Sequence, residues 1–298
     1  MNLMTLMKDF DTDIECRGVL EDLRWLTGVR CPRCDLDKIY RAEQKKARQQ
    51  FDCASCGYQF SVTVGTIFQD SKLPLPTWFA ATFLLCEAKK GMSSNQLKRT
   101  LGVSYKTAWY LSHRIRAAMK DAEAPLLAGE IEADETWIGG RRKGRGKGNW
   151  RKDKTMVMGA LSRGGEVRFK IDKRPIKATI HKFLDENVSP KAAALFTDEL
   201  MSYGGWTDAD TRHGTVVHGK EEWVRGDIHT NGIEGVWSLF KRSIVGSYHQ
   251  LSAKHMDAYL DEMAWRFNNR DNPFLFRDTL LKLIRSDNLP YSELTADA

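Results

Sequence analysis

Four of the six cysteines in this 298-residue chain form two closely spaced pairs, Cys31-Pro-Arg-Cys34 and Cys53-Ala-Ser-Cys56, with eighteen residues between them. Two intervening residues allow both thiolates of a tight turn to reach one ion, and four thiolates complete the tetrahedral shell of zinc. Disulfides are the alternative, but they are rare in the reducing cytosol. The sequence therefore predicts a structural zinc ribbon with Cys31, Cys34, Cys53 and Cys56 as ligands, whereas Cys16 and Cys86 are expected to be buried.

A pair of short helices is predicted after the cysteine pairs. Apolar residues recur at helical spacing between residues 76 and 91, Ser93 offers an N-cap, and Gly102 marks a turn before a helix over 105–119. A short helix, a glycine turn and a basic second helix are typical of a helix-turn-helix. We expect DNA contacts from the second helix, with the candidates Ser104, Lys106, Thr107 and Arg114.

The formal charge of +7 favours polyanionic partners, because phosphates release counterions on contact with Lys and Arg. The segment 141–154 holds eight basic residues against one acid, and four glycines lie between residues 140 and 148. A solvated loop is the plain interpretation, and a flexible phosphate-binding loop is the one that we favour. Its candidate DNA contacts are Arg141, Arg142, Lys143, Arg145 and Lys147.

The second half of the sequence predicts an α/β fold with a mixed sheet and flanking helices. The predicted strands are 130–140, 155–161, 166–171, 192–198 and 213–218, and the predicted helices are 176–188 and 230–245. This order is that of a ribonuclease H-like fold, in which the middle of the first strand lies beside the end of the fourth. Asp134 and Asp198 stand at those two places, so they can bridge two Mg²⁺ or Mn²⁺ ions about 3.5–4 Å apart.

A third ligand is expected from the last helix of this fold. Glu234 lies on it, seven residues before Lys241, and almost two helical turns bring both side chains to one face. Asn231 shares that face. Each of these residues alone is compatible with a solvated helix surface, and only their combination with Asp134 and Asp198 predicts a site.

The segments that carry these acids resemble DDE-type transposases of bacterial insertion sequences, in the group with an N-terminal zinc ribbon. The matching segments are Ala133–Gly140, Thr197–Glu199 and His229–Arg242, extended by Tyr248-His249, Asp261-Glu262 and Arg266–Asn268. The likeness runs from the cysteine pairs to about Asn269. It implies that Asp134 and Asp198 bind metal and that Glu or Asn is the third ligand. Glu234 is favoured because its spacing to Lys241 matches related enzymes, and Asn231 is the fallback.

The resemblance implies a transposase that binds double-stranded DNA at the ends of an insertion sequence, cuts it and joins the 3′ ends to target DNA. His229, Lys241 and Arg242 are expected to contact phosphates. Because two DNA ends have to be paired, we expect a homo-oligomer, at least a dimer on DNA. The alternatives are a zinc-ribbon and helix-turn-helix regulator without catalysis, and a nuclease or junction resolvase that cuts without joining.

Four segments and a cytoplasmic, nucleoid-associated protein are predicted. The segments are 1–70 (helix and zinc ribbon), 71–125 (helix-turn-helix region), 126–272 (catalytic domain) and 273–298 (C-terminal helix and tail). No run of about 18 apolar residues indicates a membrane span. The first ten residues lack the basic start and long apolar run of a signal peptide.

Overall fold

A computed structural model of the chain describes residues 2–42, 49–139, 154–206, 211–249 and 251–296. The chain forms two compact units. The first unit combines Met1–Lys120 with Asp271–Ala298, and the second is the continuous stretch Asp121–Arg270. This differs from the predicted four segments, because the C-terminal segment belongs to the first unit instead of standing apart.

The first unit begins with two helices and a three-stranded antiparallel sheet. The elements are α1 (Leu3–Asp9), α2 (Asp13–Arg24), β1 (Ile39–Arg41), β2 (Phe51–Cys53) and β3 (Gln59–Phe60), and the strands pair in the order β1-β2-β3. Helix α2 starts at a capping box, in which the side chains of Thr12 and Glu15 each accept a hydrogen bond from the other's backbone amide. Short strands around the second cysteine pair agree with the predicted ribbon.

Three helices follow in the first unit, α3 (Leu75–Glu87), α4 (Ser94–Leu101) and α5 (Tyr105–Met119). Gly102 ends α4 with φ 67° and ψ 23°, a left-handed conformation that glycine adopts without a steric penalty. Ser93 and Ser104 cap the starts of α4 and α5, since their side chains accept hydrogen bonds from backbone amides. Both predicted helices and their turn are therefore present. That the pair contacts DNA stays a prediction.

The second unit is built on a five-stranded mixed sheet. Its strands are β4 (Glu130–Ile138), β5 (Thr155–Ser162), β6 (Val167–Asp172), β7 (Ala194–Thr197) and β8 (Arg212–Thr215), in the spatial order β6-β5-β4-β7-β8. β4, β5 and β6 pair antiparallel, whereas β7 is parallel to β4 and β8 is parallel to β7. The predicted mixed α/β class is confirmed. A small antiparallel hairpin, β9 (Val224–Arg225) with β10 (Ile228–His229), was not predicted.

Helices cover both faces of this sheet, namely α6 (Lys177–Asn187) on one side and α7 (Asn231–Ser243) with α8 (Met256–Asn268) on the other. Strand β4 serves both cores because its side chains alternate between the faces. Ile131 and Ala133 pack with α6, whereas Ile138 packs with α7. Glu132 and Asp134, which are even-numbered like Ile138, therefore face α7.

Gly159 on β5 allows α7 to lie close to the sheet. A Cβ atom at this position would be 2.6 Å from Cζ2 of Trp237 and 3.1 Å from Cδ1 of Ile233, closer than side chains tolerate. In the β4–β5 register Gly159 pairs with Asp134. The missing side chain thus lets the Trp237 ring settle over the sheet beside Asp134.

The chain ends with α9 (Leu275–Arg285) and α10 (Tyr291–Thr295), both in the first unit. Phe276 of α9 packs edge-on against Phe79 and Phe83 of α3, with ring centroids 5.9 Å apart in each pair. The helix was predicted from its apolar stripe, but its place in the N-terminal core was not. None of the helices in the described part of the chain has the length and apolarity needed to cross a membrane.

Candidate catalytic site and zinc centre

The four paired cysteines meet at one point of the first unit. Sγ of Cys31 lies 3.7 Å from Sγ of Cys56, Sγ of Cys34 lies 3.6 Å from Sγ of Cys53, and all four ligand atoms lie within 4.8 Å of one another. Zinc–sulfur bonds of about 2.3 Å place the sulfurs of a tetrahedral site roughly 3.8 Å apart. A disulfide needs about 2.05 Å. The thiols are free and fit a structural zinc ion, so the disulfide alternative is wrong.

Backbone geometry and aromatic packing hold the two cysteine turns. Gly57, directly after the second pair, has φ 68°, which suits the tight turn. Phe51 and Phe60 stack with ring centroids 5.6 Å apart, and Trp25 packs edge-on against Phe51. Cys16 and Cys86 are buried in other parts of the first unit, as expected.

Asp134 and Asp198 lie side by side in the second unit. The parallel pairing of β4 with β7 aligns Glu132 with Phe196, and two residues further along each of the two segments stand Asp134 and Asp198. Residues that are level in neighbouring strands point to the same face of a sheet. Burial, followed by the charge of Asp198, raises the pKa of Asp134 to about 7. Burial also raises the pKa of Asp198. The two carboxyl groups therefore share one crowded, partly dehydrated place.

Helix α7 brings further charged side chains to the same place. Asp134, Glu234 and Lys241 line one open cleft of about 600 Å³. The remaining lining residues are Glu135, Thr136, Trp237, Ser238, Arg242 and Val245. Asn231, the exposed first residue of α7, is not among the described residues that line it. Glu234 therefore neighbours Asp134 in this cleft, whereas Asp198, like Asn231, is not among its described lining residues.

Hydrogen bonds fix the acids of this cleft. Nε1 of Trp237 donates to Oδ2 of Asp134 at 2.9 Å. The hydroxyl of Thr230 donates to Oε1 of Glu234 at 2.9 Å, and Nε2 of His218 lies 3.7 Å from the same oxygen. Trp237 was predicted as a core residue, and it is 4% exposed, but its hydrogen bond to Asp134 was not foreseen.

Glu135 is a fourth carboxyl group at the site, and its role was missed. Its Oε2 accepts a hydrogen bond from the hydroxyl of Tyr203 at 3.1 Å. Burial, then the charges of Asp198 and Asp134, raise the pKa of Glu135 to about 7. Tyr203 ends a short 3-10 helix that closely follows Asp198 in the chain. The Glu135–Tyr203 bond thus ties the loop after β7 to β4.

Glu199, the residue after Asp198, anchors the segment that carries His218. Its carboxylate accepts hydrogen bonds from the backbone amides of His218 at 2.7 Å and Gly219 at 3.2 Å. The His218 ring also lies 4.6 Å from the Trp223 ring, centroid to centroid. His218 is thereby held beside the acids.

Of the residues predicted to contact phosphates near the cleft, two are exposed at its lining and one points into the protein. Lys241 and Arg242 are exposed at its lining. His229 is half-buried, with Nδ1 3.3 Å from Oε1 of the buried Glu132, so it points inward instead of toward a solvent-borne ligand. The basic candidates Arg141, Arg142, Lys143, Arg145 and Lys147 lie outside the described residues.

The candidates at the start of α5 are at the surface of the first unit. Ser104 is exposed, and its side chain accepts a hydrogen bond from the amide of Thr107 at 3.1 Å. Lys106 is exposed as well, with Nζ 4.4 Å from the ring centroid of Tyr291.

Arg114 corrects the prediction of a DNA contact. It is 3% exposed, and its guanidinium donates to the carbonyls of Ile67 and Gln69 and to Oδ1 of Asn288. Helix α5 packs against α3, α4 and α9, so this basic part of the helix is interior. Arg114 links segments of the first unit and is not available to a ligand.

Two family models match the chain, one in each unit. Residues 11–59 match the transposase zinc-ribbon domain, and residues 126–268 match the ISXO2-like transposase domain. The two matched domains define the class of protein, a transposase with an N-terminal zinc ribbon. The chain belongs to the family of zinc-ribbon transposases with an ISXO2-like domain, which confirms the resemblance found in the sequence.

Relatives of known origin agree with this family. A protein of Halobacterium salinarum, described as an uncharacterized protein in transposable element ISH50, is 30% identical over 255 residues, which cover 80% of this chain and 85% of that protein. An uncharacterized transposase-like protein of Haemophilus influenzae is 28% identical over 94 residues, covering 32% and 74% of the two chains.

Two solved structures of Mos1 complexes are distant matches. The strand transfer complex is 13% identical, with 70% of this chain and 75% of the other covered and a TM-score of 0.30. The pre-cleavage transpososome is 14% identical, with coverage of 72% and 79% and a TM-score of 0.25. TM-scores this low do not establish a shared fold.

Replacing both Cys31 and Cys34 by serine is expected to remove the zinc and to unfold the ribbon, because zinc binding supplies folding free energy to such small modules. Zinc per chain is measured by elemental analysis, and loss of structure by limited proteolysis of the N-terminal segment. Cys86→Ala, which alters a buried thiol outside the zinc site, is the control and keeps its zinc. A double variant with a full equivalent of zinc would contradict the assignment of the ligands.

Asp134→Asn is expected to stabilise the protein in buffer free of Mg²⁺ and Mn²⁺. Because the pKa of Asp134 is about 7 when folded and about 3.9 when unfolded, the folded state binds more protons between these values. Wild-type stability therefore falls as the pH rises from about 4 to 7. The variant lacks this loss, so its melting temperature should exceed that of the wild type by roughly 5 °C at pH 8 and by less at pH 5.

Differential scanning calorimetry at the two pH values checks this expectation. Asp172→Asn, on the edge strand β6, is the control and is expected to show no such pH-dependent gain. Equal melting temperatures of Asp134→Asn and wild type at pH 8 would show that the buried charge carries no penalty.

Proposed function

We propose that this chain is a DDE transposase that cuts DNA at the ends of an insertion sequence and joins the freed 3′ ends to target DNA. The observation that carries the proposal is that Asp134 lies near two further acids, Asp198 and Glu234, whose charges add to burial in raising the pKa of Asp134. Asp134 stands on β4 at the level of Asp198, which directly follows the parallel strand β7, and Glu234 lines the same cleft as Asp134. Family membership supports the same activity.

We assign the second unit to the ribonuclease H-like fold. Its sheet order β6-β5-β4-β7-β8, with β4–β6 antiparallel and β7 and β8 parallel to β4, supports this assignment. So does the helix α6 between β6 and β7, because a parallel neighbour needs a crossover connection. In this assignment Asp134 and Asp198 take the positions of the first two metal-binding acids of the fold.

The donor set suits a hard divalent cation. Asp134, Asp198 and Glu234 offer only carboxylate oxygens, which are the ligands that Mg²⁺ and Mn²⁺ prefer. Burial is the main cause that raises the pKa of both Asp134 and Asp198, and the charge of Asp198 adds to it at Asp134. A bound cation would stabilise the charged forms of both groups. When bound, two such ions would activate the attacking hydroxyl group and stabilise the leaving 3′ oxygen.

The side chains around the acids have separable roles in this proposal. Trp237 holds the Asp134 carboxylate in place through its indole N–H. Lys241 and Arg242 offer exposed positive charge at the cleft, where a DNA phosphate would bind. The cleft is open to solvent, as a site for a double-stranded substrate has to be.

The first unit is proposed to hold the DNA. Zinc binding would hold the ribbon as a small folded module. At the start of α5, Ser104 and Lys106 are exposed and Thr107 is partly exposed. Helix N-terminal residues of this kind contact phosphates and base edges in helix-turn-helix proteins. Because two DNA ends have to be paired, the proposal includes at least two copies of the chain acting together on DNA.

Asp134→Asn and Asp198→Asn are each expected to lower strand cleavage about a thousand-fold or more, which corresponds to about 4 kcal/mol of transition-state stabilisation. Binding to terminal DNA should be almost unchanged, because the DNA-holding surface is assigned to other residues. The measurements are Mn²⁺-dependent cleavage and strand transfer on labelled terminal DNA, with binding by gel shift.

Asp172→Asn, an acid on the edge strand β6, is the matched control and should keep full activity. Full cleavage by Asp134→Asn would refute the enzyme assignment and leave a DNA-binding regulator. Cleavage without any strand transfer by the wild type would indicate a nuclease or resolvase.

The third ligand is tested by comparing Glu234→Gln with Asn231→Ala. We expect Glu234→Gln to lose cleavage as severely as Asp134→Asn, because Glu234 lines the cleft with Asp134. Asn231→Ala is expected to lose roughly tenfold or less, as for a residue that assists from the helix terminus. The reverse ranking in the same assay would assign the ligand to Asn231.

A further inference from the structure

We propose that the buried Glu132 is a positioning residue that anchors the first turn of α7 and thereby sets the place of Glu234 against Asp134. The anchor is visible in the structure by itself. Its purpose, alignment of a metal-binding acid, rests on the proposed function. Glu132 touches neither substrate nor metal in this proposal and acts through α7.

Glu132 is a charged side chain inside the second unit. It is 1% exposed and stands on β4 two residues before Asp134, on the same face. Its Oε2 accepts a hydrogen bond from the backbone amide of Ile233 at 2.9 Å. Ile233 is the third residue of α7 and precedes Glu234. The carboxylate therefore holds the turn of helix that carries the candidate ligand.

This contact replaces the local cap that α7 lacks. The first amides of a helix have no partner within the helix, and a side chain of the preceding residue usually accepts from one of them. Thr230, at the N-cap of α7, makes no such bond, and its hydroxyl donates to Glu234 instead. A carboxylate also suits the positive end of the helix dipole. The cap of α7 thus comes from the neighbouring strand.

Arg163 compensates the buried charge and extends the anchor. Its Nε donates to Oε1 of Glu132 at 2.8 Å, and Nη2 donates to the carbonyl of His229 at 3.0 Å, just before α7. Its guanidinium carbon lies 4.1 Å from the ring centroid of Phe196, two residues before Asp198. One ion pair therefore joins the three segments that carry Asp134, Asp198 and Glu234.

Gly232 leaves room for this carboxylate. A Cβ atom there would lie 2.7 Å from Oε2 of Glu132 and 2.8 Å from Cδ2 of Leu161. At Gly235, one turn later on the same helix, a Cβ atom would meet no neighbouring atom within 4 Å. Alanine at 232 should therefore displace the anchor, whereas alanine at 235 should leave it intact.

The anchor is tested first without reference to any activity. Hydrogen exchange of the α7 amides is measured in the zinc-bound full chain for wild type, Glu132→Gln, Gly232→Ala and the control Gly235→Ala. Loss of a bond to a charged group should speed exchange at Ile233 roughly tenfold or more in the first two variants. Gly235→Ala should not speed it. Unchanged exchange in both Glu132→Gln and Gly232→Ala would overturn the anchor.

Positioning is tested by Mn²⁺ binding to the DNA-free protein, followed by electron paramagnetic resonance. Glu132→Gln and Gly232→Ala should each weaken Mn²⁺ binding roughly tenfold, and Gly235→Ala should bind as the wild type does. Phe183→Leu, a core change on the α6 face, should lower the melting temperature but leave Mn²⁺ affinity unchanged. Faster exchange with unaltered Mn²⁺ affinity would overturn the positioning role.

Failure of the proposed function gives a different pattern. In that case Asp134→Asn binds Mn²⁺ as well as the wild type does, which means that the cleft is not the metal site. The exchange experiment still decides whether Glu132 anchors α7. If Glu132→Gln does not fold, Gly232→Ala carries both measurements, because it keeps the carboxylate and changes only the space beside α7.

Discussion

The parallel hydrogen bonding between β4 and β7 is the constraint on which the second unit depends. It aligns Asp134 with Asp198. Glu132, on the same strand and face as Asp134, lies under the start of α7. Two carboxyl groups brought together in a partly buried place repel each other, and burial alone disfavours their charged forms. The sheet enforces this proximity through backbone bonds that do not depend on the acids. In the proposed function, a divalent cation bound at these acids would relieve this repulsion.

Sequence patterns predicted the structure correctly where the interactions that form it are local or repeat regularly along the chain. The spacing of Cys31, Cys34, Cys53 and Cys56 reflects chelation geometry within two turns, and the sulfurs lie where a zinc ion would need them. Five strands were found because alternation and apolar runs mark them, and the position of Asp134 and Asp198 followed from strand order. Gly102 predicted the turn because glycine readily adopts the left-handed backbone conformation that ends α4.

Sequence patterns did not predict the environment of a side chain where its contacts come from residues far away in the chain. Arg114 resembles an exposed basic residue on a helical wheel, but carbonyls of Ile67 and Gln69 and the side chain of Asn288 enclose it. Glu132 carries no signal of its own, since a glutamate on a strand is ordinarily solvated. Its burial follows from Arg163 and from α7, which begins about a hundred residues later. Trp237 was correctly assigned to the core, but its bond to Asp134 needs the close approach that Gly159 permits.

The return of α9 to the N-terminal core has a consequence for biosynthesis. The second unit is one uninterrupted stretch, Asp121–Arg270, whereas the first unit needs Phe276 and its neighbours against Phe79 and Phe83. Domains generally fold as units while the ribosome is still translating. The second unit can therefore reach its native state first, and the N-terminal helices keep an uncovered apolar surface until α9 has been translated. The nascent chain is therefore most exposed to aggregation, or to chaperones, while Asp121–Arg270 and α9 are being translated.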